Sequence, residues 1–90
     1  DGALPGRGSD AQLSRLSSMA RELLISAEPT ENLVVLHTPP GAAQFLASVI
    51  DQARVENVMG TIAGDDTILL ITTGVSAAPV VAAHLLGLAG

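Results

Sequence analysis

The chain has 90 residues, of which 48% are hydrophobic, a size and composition that suit one small domain and exclude a disordered segment or two separate cores. Nine acidic residues against four basic ones, none of them lysine, give a net charge of −5 at pH 7, so the chain by itself should not bind nucleic acid, which Lys and Arg chiefly hold. The absence of cysteine excludes disulfides, thiolate metal sites and cysteine nucleophiles, and it is compatible with a reducing cytoplasm.

Packing in this chain must rest on small aliphatic side chains, because Phe45 is its only aromatic residue. Such a core leaves a small monomer with marginal stability, so we expect association with other subunits. Neither a basic start followed by an apolar run nor an uninterrupted apolar stretch of about 18 residues is present. We therefore expect a cytoplasmic protein that is neither secreted nor membrane-spanning.

The first ten residues, DGALPGRGSD, are rich in Gly, Pro, Ser and Asp and lack an apolar period, which predicts a linker over 1–10 that follows a preceding domain. The ordered domain is then predicted over 11–90. Helical spacing of apolar residues, with Ser9 or Asp10 as N-cap, predicts a short first helix over about 11–20. The residues with this spacing are Leu13, Leu16, Met19, Ala20 and Leu23.

Two short apolar runs, residues 22–27 and 33–37, predict a first pair of strands joined by the turn-forming residues 28–32. The sequence TPPG at 38–41 then predicts the start of a helix, with Thr38 as its cap and a proline at the first helical position.

The helix that follows has the clearest apolar period in the chain, which predicts that one face of it packs on the core. Its apolar stripe consists of Ala42, Phe45, Leu46, Val49, Ile50 and Ala53. A separate polar stripe holds Gln44, Ser48 and Asp51.

The second half of the chain repeats the order of two strands and a helix. Residues 58–63 and 67–73 predict strands three and four, joined by the tight turn Gly64-Asp65-Asp66, and Ser76 is predicted to cap a final helix. The predicted fold is α+β: a two-layer sandwich of a mainly antiparallel four-stranded sheet with helices on one face, in the order ββαββα after a short N-terminal helix.

The segment GTIAGDDT, residues 60–67, offers the most informative chemistry. Adjacent carboxylates in a tight turn repel each other by about 1 kcal/mol or more, so either water solvates them fully or a cation lies between them. Composition by itself favours solvation at an Asp-rich hairpin tip. The small residues on either side, Gly60, Thr61, Ala63 and Gly64, would also leave room for a ligand pocket.

Gln44 and Asp51 are seven residues apart, so both can face one ligand on the surface of the helix, although an ordinary solvent-facing stripe would show the same spacing. Only one Lys or Arg, Arg54, occurs between residues 37 and 90, which leaves the acidic region unbalanced and suits a cationic ligand. If that ligand is an amino acid, a guanidinium would need a carboxylate in forked geometry, its ammonium another acceptor and its carboxylate amide donors such as Gln44.

Neither the two histidines nor the sequence around the aspartates indicates a catalytic or metal site. His37 ends the second strand, where a partly exposed strand end is the ordinary role and a ligand contact the alternative. His84 has no metal partner at helical spacing and is interpreted as an interface or surface residue. No nucleophile motif, phosphate loop or zinc spacing accompanies Asp65 or Asp66, so we expect no enzyme activity and no metal site.

Two blocks, HTPPGAAQFLASVID at 37–51 and GTIAGDDT at 60–67, resemble the signature blocks of the C-terminal domain of bacterial arginine repressors, and NLVVLHT at 32–38 supports the resemblance. Within the first block, the segments PP and QFLAS are similar to those of actinobacterial members of the family. The final segment, residues 72–90, departs more from the family pattern.

The resemblance implies a hexamer of two stacked trimers with L-arginine bound between them, and no other cofactor. By motif position, Gln44, Asp51, Thr61, Ala63 and Asp66 would line the pocket of one subunit. Asp65 would reach the ligand of a subunit in the opposing trimer, and the family also implies that His37 and Ala43 lie near the pocket.

The function that the resemblance implies is an effector-binding and hexamerisation domain of a transcriptional repressor of arginine metabolism, with arginine as corepressor. Operator DNA would be bound only by a winged helix-turn-helix domain that is absent from this chain. The alternative is a structural oligomerisation domain whose acidic turn binds a divalent cation or is simply solvated.

Overall fold

A computed structural model describes residues 10–90 of the chain. The predicted linker therefore lies outside the described residues, except for Asp10, which begins the first helix. The elements in chain order are α1 (Asp10–Leu23), β1 (Ser26–Thr30), β2 (Leu33–His37), α2 (Ala43–Ala53), β3 (Val58–Ala63), β4 (Thr67–Thr72) and α3 (Ala77–Ala89).

The four strands form one antiparallel sheet in the order β1-β2-β4-β3. The two hairpins thus lie side by side, with β2 and β4 in the centre and β1 and β3 at the edges. This arrangement confirms the predicted α+β fold and the order ββαββα after an N-terminal helix.

One face of the sheet carries the core. Its central side chains, Val34 and Leu36 of β2 and Ile68 and Leu70 of β4, are each 0% exposed. They pack with buried residues from the helices: Leu16, Leu46, Val49, Ile50, Val81 and Leu85. The alternation of buried residues along both central strands is the pattern of a sheet covered on one side only.

The helices α2 and α3 contact the sheet, and α1 packs against both of them. Leu16 and Ala20 are the buried residues of α1, and Leu16 has no exposed surface. Among the described residues, no helix is both long and apolar enough to cross a membrane.

The prediction for the first hairpin was wrong in its boundaries. Residues 22 and 23 belong to α1, and β1 runs over Ser26–Thr30, so the loop consists of Glu31 and Asn32 only. The predicted turn over 28–32 was longer because this segment contains Pro29, a residue typical of turns. A proline is tolerated in an edge strand, however, and Glu31 makes the tight loop possible with a positive φ of 54°.

The predicted start of α2 was also wrong. Thr38 does not cap the helix, because its hydroxyl donates to the carbonyl oxygen of Pro39 at 2.9 Å. Residues 39–42 form a turn closed by the Ala42 amide and the Pro39 carbonyl, and α2 begins only at Ala43. Gly41 permits the turn with a φ of 84°.

The final helix begins where the sequence indicates, but its cap differs from the prediction. Ser76 occupies the N-cap position without a side-chain hydrogen bond. The amides of Ala77 and Ala78 donate instead to the carbonyl oxygen of Gly74. A backbone carbonyl therefore accepts the hydrogen bonds that the serine hydroxyl was expected to accept.

We predict that Gly41→Ala lowers the free energy of unfolding by about 1–2 kcal/mol, because a side chain at this positive φ is strained. Gly74→Ala is the matched control, since an added Cβ also meets no atom within 4 Å there and its φ is not positive. Urea unfolding of both variants checks the prediction, and equal losses would contradict it.

Candidate functional site

The acidic turn between β3 and β4 is held against the start of α2 by its own backbone. The carbonyl oxygen of Asp65 accepts hydrogen bonds from the amides of Gly41 and Ala43, both at 3.1 Å. The carbonyl oxygen of Asp66 accepts one from the amide of Thr38 at 2.9 Å. Amides at the start of a helix have no partner within the helix, so the turn supplies acceptors that a side-chain cap would otherwise provide.

The side chains of the two adjacent aspartates have different surroundings. One carboxylate oxygen of Asp66 accepts a hydrogen bond from the hydroxyl of Thr67 at 3.1 Å. Asp65 is exposed and, with Gln44, Gly41 and Gly64, lines an open cleft of about 530 Å³ beside the start of α2. Asp66 therefore has a local side-chain partner, whereas Asp65 lines a space large enough for a ligand.

A second polar contact joins the later part of α2 to the edge strand β3. The hydroxyl of Thr61 lies 3.0 Å from each carboxylate oxygen of Asp51 and donates to that carboxylate. Asp51 is exposed, so the contact positions a charged group at the surface without burying it.

A smaller cavity of about 250 Å³ adjoins this contact at the C-terminal end of α2. It is lined by Ile50, Asp51, Arg54, Val55, Val58, Met59 and Gly60. The cavity therefore combines an apolar wall with one carboxylate and one guanidinium.

The structure brings most of the predicted site residues to one edge of the molecule. Gln44 and Asp65 share the cleft, Asp51 and Thr61 are hydrogen bonded, and Ala63 is half-buried directly before the turn. Gln44 and Asp51 nevertheless line two separate openings.

His37 and Ala43 have other surroundings. His37 pairs with Thr67 of β4 and belongs to the face of the sheet opposite the helices, at the end where the acidic turn lies. Ala43 is 0% exposed, so only its backbone could contribute to a site, and its amide already donates to Asp65.

Sequence reasoning missed two features of the site. The contact between the Asp65 carbonyl and the start of α2 has no side-chain signal, because any residue supplies the same carbonyl. The sequence indicates Arg54 only as an isolated positive charge. Its position in a cavity beside Asp51 depends on the conformation in which α2 ends.

Within residues 10–90, no group of three or more His, Cys, Asp or Glu side chains is arranged to hold a metal ion. A divalent cation such as calcium takes six to eight oxygen ligands, so the two adjacent carboxylates of the turn would need several further donors.

We predict that Thr61→Val changes the free energy of unfolding by less than about 1 kcal/mol, because the hydroxyl bonds an exposed carboxylate that water can solvate. The same substitution at Thr72, which is 1% exposed and lies 2.7 Å from the carbonyl oxygen of Asn32, should cost about 1–3 kcal/mol. Thermal unfolding of both variants tests this contrast. A comparable loss at both positions would assign the Thr61 contact to the fold instead of the site.

Comparison with known protein families agrees with this arrangement. The family described as arginine repressor, C-terminal domain, matches residues 20–86, a range that runs from the end of α1 through most of α3. The matched range contains both the acidic turn and the exposed edge of α2. This is a family of regulatory domains and not of enzymes, and the chain belongs to the arginine repressor C-terminal domain family.

Proposed function

We propose that this domain binds L-arginine as a corepressor between subunits and thereby holds two trimers together as a hexamer. The observation that carries the proposal is the exposed acidic edge formed by Asp51, fixed by Thr61, and by Asp65, which shares its cleft with Gln44. Carboxylates bind a guanidinium in forked geometry, and the amide of Gln44 can donate to a carboxylate.

The charge of this edge supports a cationic ligand. Asp51, Asp65 and Asp66 are all exposed, and Arg54 is the only Lys or Arg after residue 37. When the acidic turns of two trimers approach each other, their carboxylates repel. An arginine between them replaces this repulsion with ion pairs, so ligand binding and assembly become coupled.

The trimer contact, in our proposal, is the sheet face that the helices leave open. Its side chains, identified from the strand register, are largely apolar: Leu33, Val35, Leu69, Ile71 and Ile62. Ile62 is 61% exposed, and an apolar face of this kind is typical of an interaction surface. Association through this face leaves the edge of α2 and the acidic turn available for the second trimer.

In the complete repressor, arginine would favour the hexamer that presents several winged helix-turn-helix domains to operator DNA in the cytoplasm, and so repress arginine biosynthesis. A ligand that binds only the assembled state stabilises it by about 2.7 kcal/mol per site at a hundredfold excess over Kd. By linkage, assembly strengthens arginine binding by the same factor.

Calorimetric titration tests the proposal directly. We expect saturable binding of L-arginine and much weaker binding of L-ornithine, because an ammonium group cannot make the forked contact of a guanidinium with a carboxylate. Equal binding of the two amino acids, or no binding of either, would refute the proposed site.

We predict that Asp65→Asn abolishes arginine-stabilised hexamers but leaves folded trimers. The substitution removes the exposed charge and keeps the carbonyl that bonds Gly41 and Ala43. Sedimentation with and without L-arginine measures the outcome.

Two control variants make that result specific. Glu22→Gln removes an exposed carboxylate on α1 and should leave the hexamer intact. Leu69→Glu places a charge on the open sheet face and should dissociate the trimer itself. Loss of trimers in Asp65→Asn would show that the turn belongs to the trimer contact.

A further inference from the structure

Arg15 of α1 contacts α2 at two places. The Cζ of its guanidinium lies 5.5 Å from the centroid of the Phe45 ring, and its Nη1 donates a hydrogen bond to Oε1 of Gln52 at 2.8 Å. A guanidinium over an aromatic face is a cation–π contact. Phe45 was predicted to face the core, but it is 44% exposed, so that prediction was wrong. The guanidinium of Arg15 lies over its ring at the surface.

The two contacts of Arg15 follow the proposed site along α2. Phe45 comes directly after Gln44 in the chain, and Gln52 has the same place after Asp51. Each pair is therefore seven residues apart, which is nearly two full turns of helix, and the contacts lie about 100° around the helix from the side chains of the site. Arg15 thus touches α2 beside both parts of the site without belonging to it.

The other flank of α2 is held by β3, where the hydroxyl of Thr61 donates to the carboxylate of Asp51. Between the two flanks, α2 packs on the core through six buried residues, of which three are alanines. An alanine projects only a methyl group, so half of this interface is shallow and resists rotation of the helix about its axis less than large side chains would. The contacts of Asp51 and Arg15 at the two flanks therefore restrict that rotation.

A small rotation of α2 is enough to disturb the site. The surface of a helix lies about 5–6 Å from its axis, so a turn of about 20° moves a group at the surface by about 2 Å. Hydrogen bonds are lost over such a distance, and forked contacts with a guanidinium depend on the angle as well. Gln44 and Asp51 must keep their positions together, because the proposed function assigns both to one ligand.

We propose that Arg15 is a positioning residue of the effector site. By holding Phe45 and Gln52 it fixes the rotation of α2, and it thereby raises the affinity for L-arginine. It acts through α2 and makes no contact with the ligand. This role rests on the proposed arginine binding and makes that binding depend on α1, an element outside the site.

Charge by itself gives the opposite expectation, so the sign of the effect is informative. L-arginine carries a net positive charge near pH 7, and a domain that has lost a cation should attract it slightly more strongly. Loss of a positioning contact should weaken its binding. Arg21→Gln is the matched control, since Arg21 is also exposed on α1 but its guanidinium bonds Ser17 of the same helix.

The experiment is a calorimetric titration of L-arginine into the unaltered chain, Arg15→Met, Arg15→Lys and Arg21→Gln. Methionine keeps an unbranched stem and a high helix propensity. Leu16 and Ala20 are buried and hold α1 in place, so Arg15→Met should fold. Thermal unfolding without ligand checks that it does.

We expect binding of L-arginine to be about three- to tenfold weaker in Arg15→Met, the range that one exposed cation–π contact and one hydrogen bond provide. Arg15→Lys should recover part of the loss, because an ammonium keeps a cation near the ring but not the planar geometry of the guanidinium. Arg21→Gln should bind L-arginine as tightly as the unaltered chain or slightly more tightly.

A double-mutant cycle assigns the effect to the contact with the ring. Phe45→Leu removes the aromatic face and keeps an apolar side chain. If Arg15 acts through Phe45, the double variant should lose less affinity for L-arginine than the product of the two single losses. A merely structural role of Arg15 would lower the melting temperature and leave the affinity of the folded chain unchanged.

An affinity for L-arginine in Arg15→Met that equals or exceeds that of Arg21→Gln would overturn the role of Arg15 and leave the proposed function in place. Single losses that multiply fully in the double variant would overturn it as well. If the unaltered chain does not bind L-arginine, the proposed function fails, and the role of Arg15 fails with it.

Discussion

Two backbone hydrogen bonds, from the amides of Gly41 and Ala43 to the carbonyl oxygen of Asp65, connect the acidic turn to the first helical residue of α2. Ala43 is completely buried, so this contact ties the turn to the hydrophobic core. The backbone position of Asp65 is consequently set by the packing of α2 on the sheet. Its carboxylate remains at the surface, because the backbone makes the contact and the side chain is not needed for it.

From that anchor the proposed site extends along the exposed edge of α2. Its first part is the cleft of Gln44 and Asp65, and its second part is the Asp51 and Thr61 contact with the cavity beyond it. Both openings are exposed to solvent in one chain, and in the proposed function a second subunit would enclose the ligand. In the proposed function the site is completed only in the assembly, so ligand binding and assembly are thermodynamically linked, as the action of a corepressor requires.

The layered fold keeps the two proposed contacts apart. The helices cover one face of the sheet, and the other face presents aliphatic side chains of β2, β4 and β3. Association through that face depends on apolar burial and does not require the effector. Contact through the edge of α2 brings carboxylates together and therefore responds to a cation. The two proposed contacts thus differ in their physical basis, and in our proposal only the contact through the edge of α2 responds to the effector.

The amino-acid sequence determined the α+β class, the strand pairing of both hairpins, the core-facing stripe of α2 and the acidic turn, because each depends on local periodicity or on turn residues that are close in the chain. The family, too, is evident in the two sequence blocks around Gln44 and Asp65. Tertiary structure decided the rest. Pro29 belongs to β1 because that strand is at the edge, and α2 starts at Ala43 because the turn at Asp65 supplies its acceptors. Likewise, Gln44 and Asp51 occupy separate openings, and Arg54 joins a cavity, because residues from β3 and the end of α2 meet there. Those contacts join residues distant in the chain through backbone groups common to every residue type, so no pattern of side chains could reveal them.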